Sequence, residues 1–145
     1  MKVAVIPADG DVRFEDVPRI DLDYLQSRVG GHIEALRIPG TGINLYLNEE
    51  GKLLGLAVNE RADAIAWRTR AVSFSGVIVG DVVVVGPVDE QGNDTGLSEE
   101  QVAWLKKELS VDEIMELLRP DPWGPAATKM AGQAAGDDEK EEVDE

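Results

Sequence analysis

The chain has no cysteine and a single histidine, His32. Together these exclude disulfides, thiol nucleophiles, redox dithiols and cysteine-based zinc sites. No apolar run approaches the roughly 20 residues that a membrane helix needs; the longest, around Val82–Val85, has the length of a strand. Positive charge is scarce, with 14 Lys and Arg against 29 Asp and Glu and a formal net charge of −15. The basic residues are scattered singly apart from Lys106-Lys107 and the Arg68/Arg70 pair. DNA, RNA and anionic membrane surfaces all demand clustered Lys and Arg, so no direct nucleic-acid or membrane partner is expected. The N-terminus turns polar too soon for a signal peptide, so a cytoplasmic location is expected.

What is present amounts to one domain and an appendage, the expectation for 145 residues. A chain of this size buries enough surface to fold without a metal or disulfide staple. Residues 1–119 hold 21 acidic and 12 basic side chains, while residues 120–145 hold 8 and 2. Beyond Pro120-Asp121-Pro122 the composition shifts to Ala, Gly, Gln, Asp, Glu and Lys. Such a segment buries too little apolar area to offset the entropy of ordering, and a disordered acidic tail over 120–145 is expected.

Within residues 1–119 the patterning reads as α+β: a mostly antiparallel sheet of five to six strands packed with three to four helices. Val3–Pro7 and Val12–Glu15 flank Asp9-Gly10 as a hairpin with a tight I′-like turn. Asp21 caps a helix with apolar positions Leu22, Leu25 and Val29, Ile20 and Leu25 form a staple, and Gly30-Gly31 stops it. His32–Ile38 and Ile43–Asn48 alternate as strands around a Pro-Gly-Thr-Gly loop. Asn48-Glu49-Glu50-Gly51 has turn chemistry, and Leu53–Asn59 reads as a returning strand, giving two hairpins in series. Asn59 then caps a helix over Glu60–Arg70 with Ala62, Ile65, Ala66 and Thr69 on one side. Val82–Val85, apolar on both faces, reads as a central strand covered on both. Two capping boxes, Ser98-Glu99-Glu100-Gln101 and Ser110-Val111-Asp112-Glu113, announce two final helices.

Little of this carries reaction chemistry. Gly40-Thr41-Gly42 leads into a strand, where a phosphate loop needs a helix N-terminus, so it reads as a hairpin loop. His32 and Glu34 share a strand face at period two and are the candidate acid–base pair. Ser73 and Ser75 lack the surroundings of a hydrolase elbow. The acidic pairs fall at turns and helix starts without EF-hand spacing, so no metal and no cofactor are expected. Trp104, beside Lys106-Lys107, is a candidate anchor for a partner.

Four segments form an ordered pattern: Val29-Gly30-Gly31-His32-Ile33-Glu34, Asn48-Glu49-Glu50-Gly51-Lys52-Leu53, Leu56-Ala57-Val58-Asn59-Glu60-Arg61-Ala62 and Val79-Gly80-Asp81-Val82-Val83. Over residues 20 to 105 the chain thereby resembles a domain-of-unknown-function family of short acidic actinobacterial, mobile-element and phage proteins. The resemblance brings no activity with it. It draws attention to Asn48, Asn59 and Arg61 as candidate binding residues; turn and cap roles are available to the two asparagines, which leaves Arg61 as the one without a structural task.

These features favour a non-catalytic domain, of phage or mobile-element type, that binds a protein partner. One alternative is a DNA mimic that inhibits a host nucleic-acid-binding enzyme, using Glu99, Glu100, Glu108, Asp112, Glu113 and Glu116 as a phosphate-like row. The other is a small enzyme built on His32, Glu34 and Arg61.

Overall fold

The computed structural model describes residues 1–71 and 76–118, with side chains through residue 111. Residues Met1–Asp112 form one compact unit; of the second, Glu113–Glu145, the helical backbone to residue 118 is described. The acidic tail expected over 120–145, and Ser73 and Ser75, lie outside the described residues.

Eight elements follow in the order β1 (Lys2–Ile6), β2 (Arg13–Asp16), α1 (Leu22–Val29), β3 (Ile33–Ile38), β4 (Ile43–Asn48), α2 (Glu60–Thr69), β5 (Val82–Val85) and α3 (Glu99–Leu118). The five strands make one antiparallel sheet in the order β2-β1-β5-β4-β3. All four valines of β5 are fully buried, as an apolar strand at the centre of a two-sided sheet must be. On one face, Ala4, Ile6, Leu36, Leu45, Val82 and Val84 pack with Ile65 of α2 and Leu105 and Leu109 of α3. On the other, Val3, Tyr46, Val83 and Val85 pack with Ile20 and with Leu25 and Val29 of α1. No described helix is long and apolar enough to cross a membrane.

Local chemistry sets the helix ends. Asp21 accepts from the Tyr24 N–H at 2.8 Å, and Gly30 closes α1 in the left-handed region at φ 83°. Ser98 and Gln101 form a reciprocal capping box at the start of α3, with contacts of 2.9 and 3.1 Å.

Four local expectations are corrected. The β1–β2 connection is a longer loop rather than a two-residue Asp-Gly turn, because the register pairs Val5 with Arg13. Leu22 points to solvent, and Leu25 and Val29 alone supply the buried positions of α1. Residues 53–59 form no strand: after β4 the chain coils through turns, Gly55 takes φ 70°, and Leu53 is 87% exposed. The side of β4 that this segment would have paired is taken by β5. Finally, Ser110 lies inside α3 instead of starting another helix. No Gly or Pro interrupts residues 98–118, and the Leu105–Leu109 stripe runs straight up to the second box.

Candidate functional site

The quoted sequence motifs meet one another in space through buried amides. Asn48, at the end of β4, donates Nδ2 to the Val29 carbonyl at 3.1 Å, while its Oδ1 accepts from the Glu50 N–H at 2.7 Å. It thereby closes the turn and satisfies an orphan carbonyl at the C-terminus of α1. Gly31 leaves room for this contact, since a Cβ there would lie 3.0 Å from Asn48 Nδ2. Asn59 is fully buried: its Oδ1 caps α2 through the Ala62 N–H, and its Nδ2 donates to the carbonyls of Ile6 at 2.7 Å and Gly80 at 2.8 Å. Asp81 accepts from the Ala8 N–H at 2.9 Å. The motifs thus join α1 to β4, and α2 to β1 and the entry to β5.

Arg61 also has a role inside the fold, because its guanidinium donates to the Pro7 carbonyl at 3.1 Å and to that of Gly10. It holds the β1–β2 loop, and so the sequence argument that it lacks a structural task does not stand. His32 is exposed just before β3, and its carbonyl accepts from the Glu49 N–H at 2.8 Å. Glu34 is exposed on β3, and neither a hydrogen bond nor an ion pair joins it to His32. The structure therefore does not bring His32, Glu34 and Arg61 into one centre. Trp104 is half-buried against the core. Of the acidic row, Glu108 is engaged by Arg68 at 3.2 Å, and the side chains of Asp112, Glu113 and Glu116 lie outside the described residues. No group of three or more metal-ligating side chains occurs among the described residues.

What sequence reasoning missed is the edge of the sheet. The bond from Glu49 N–H to the His32 carbonyl fixes the phase of the β3–β4 ladder. In an antiparallel pair this bond flanks a non-hydrogen-bonded couple, here Ile33 and Asn48. Glu34, Leu36 and Ile38 therefore direct their backbone groups at β4, and Ile33, Ala35 and Arg37 direct theirs outward. These outward groups have no hydrogen-bond partner among the described residues. The opposite edge is guarded. Strand β2 is four residues long and carries the pairs Lys2–Asp16 at 3.1 Å, Arg13–Glu15 at 3.2 Å and Arg28–Glu15 at 2.5 Å. Lys106 covers its Phe14 ring at 5.2 Å. On β3 the charged residues Glu34 and Arg37 stand exposed without ion pairs among the described residues. No signal in the sequence marks which strand ends the sheet, because that depends on long-range order.

Beside β3 lies a cavity of about 150 Å³, lined by Glu34, Leu47, Glu49, Lys52, Leu53 and Val77 among others. Ligand pockets for drug-sized molecules are roughly 300–1,000 Å³, so this one suits a side chain or two rather than a cofactor.

Fold and site together define a class: a small antiparallel α+β domain with one guarded sheet edge and one open edge bordered by a shallow groove. The chain belongs to the family described as Domain of unknown function (DUF3846), whose model matches residues 1–110. No curated protein and no solved structure matches it. The match takes in the opening hairpin, which the motif resemblance over 20–105 left out. That is physically apt, since β1 pairs with β5 at the middle of the sheet.

Proposed function

We propose that this is a non-catalytic protein-binding domain that takes up an extended segment of its partner along β3. The single observation that carries this reading is the unpaired outward edge at Ile33, Ala35 and Arg37. An exposed row of backbone donors and acceptors is a template for another strand, and natural sheets usually block it with charge, proline or a covering element. Here β2 is four residues long with its charges tied in ion pairs, whereas β3 is six residues long and carries only Glu34 and Arg37, which have no ion-pair partner among the described residues. Strand addition gives affinity through main-chain bonds and specificity through pockets for alternate side chains, and the groove beside Glu34 is placed to serve as such a pocket.

The test is affinity purification from the native host with wild type, Ala35→Pro and His32→Ala. The Ala35 N–H faces outward, so proline there removes a partner-facing donor without breaking the ladder to β4. The expected outcome is a folded Ala35→Pro domain that loses the partner retained by wild type and by His32→Ala. Leu36→Pro, whose N–H faces β4, should instead unfold. Undiminished capture by folded Ala35→Pro would contradict the proposal.

A further inference from the structure

We infer that the segment added to β3 is cationic, with Lys or Arg alternating with apolar residues; this rests on the strand-addition reading above. A strand paired with β3 sets one of its side chains directly opposite Glu34, on the face of the sheet that borders the groove, at the roughly 5 Å Cβ separation of cross-strand neighbours. Two carboxylates, Glu34 and Glu49, line that groove, and neither has an ion-pair partner among the described residues. Lys52 is the cation of the lining, placed against Gly76, so two carboxylates stand against one ammonium. Leu53 and Val77 also line it and are 87% and 40% exposed. An arginine or lysine matches this combination, because its aliphatic stem can lie on Leu53 and Val77 while its head reaches the carboxylates. The size of the groove fits such a side chain.

A second copy of this chain is a poorer occupant. Two-fold pairing about Ala35 would place the two Glu34 side chains diagonally across the seam on one face, roughly 7–8 Å apart by the usual spacing. It would also join two chains of net charge −15 each. The same charge draws a basic partner in and speeds the encounter.

The experiment adds short capped peptides of alternating Lys-Val, Thr-Val or Glu-Val to the full chain. It reads hydrogen exchange at the Ile33, Ala35 and Arg37 amides by NMR. Lys-Val should protect these amides at concentrations about five- to tenfold below Thr-Val, the range expected for two partly exposed ion pairs. Glu-Val should protect least. In the Glu34→Gln/Glu49→Gln double variant, both sites being exposed, Lys-Val and Thr-Val should become equivalent. Equal protection by Lys-Val and Thr-Val in wild type would overturn the cationic preference and leave strand addition standing. A preference for Glu-Val would overturn it by showing that Lys52 governs the groove. Protection by none of the three would overturn strand addition and this inference with it.

Discussion

Asn59 concentrates more of the fold than its size suggests, because one buried amide caps α2 and also binds the carbonyls of Ile6 and Gly80. Asn59→Ala would take the cap from the Ala62 N–H and the Nδ2 donor from the carbonyls of Ile6 and Gly80, in a site with no exposure. A loss of about 3 kcal/mol is expected in a denaturant titration, the sum of a lost cap and lost buried hydrogen bonds. Asn59→Asp keeps the cap acceptor but turns an oxygen toward the two carbonyls, and should cost at least as much. A neutral Asp variant would mean that only the cap matters. The cap and the Asx turn at Asn48 were legible in the sequence because their partners lie within three residues. The Nδ2 contacts were not, since Ile6, Gly80 and Val29 lie far along the chain; for the same reason the loop clamp made by Arg61 was invisible.

Both tyrosines illustrate a residue-scale effect of pH. Burial raises the pKa of Tyr24, and burial together with the 2.5 Å hydrogen bond to Asp94 raises that of Tyr46. Below the ordinary tyrosine value of about 10, folded and unfolded chains both keep these protons, so stability does not vary with pH through them. Above it, the unfolded chain releases protons that the folded chain retains, and stability must fall as pH rises. Unfolding midpoints measured across about pH 9 to 12 should decline, and Tyr46→Phe should make the decline shallower even though it weakens the contact to Asp94 at neutral pH.

At the scale of elements, the informative region is the coil after β4. Its apolar residues suggested a strand, but pairing is a competition, and β5 with four buried valines holds the place beside β4. Leu53→Ser should therefore change stability by no more than about 0.5 kcal/mol, as at an ordinary surface site. Leu45→Ala, at 1% exposure in the core, should cost about 2–5 kcal/mol. Equal costs, read from denaturant midpoints, would mean that the 53–59 segment is packed after all. Helix starts and the central strand were readable because caps and all-apolar runs are local signals. The number of terminal helices was not, because a capping box inside a continuous apolar stripe yields to the stripe, as Ser110 does within α3.

For the whole molecule, charge and topology together shape what the domain can meet. A net charge of −15 favours basic partners and makes their association weaken as salt rises, whereas backbone pairing along β3 responds little to salt. Strand order places the guarded edge and the open edge at opposite ends of one sheet. The family assignment covers residues 1–110 and brings no named activity. The proposed binding role thus stands on the open edge itself. Residue-resolved amide exchange on the free protein tests this most directly. The account predicts slow exchange at Glu34, Leu36 and Ile38 and fast exchange at Ile33, Ala35 and Arg37, with the latter three slowing once a partner strand is bound. Slow exchange at all six in the free monomer would contradict it, because the edge would already be occupied.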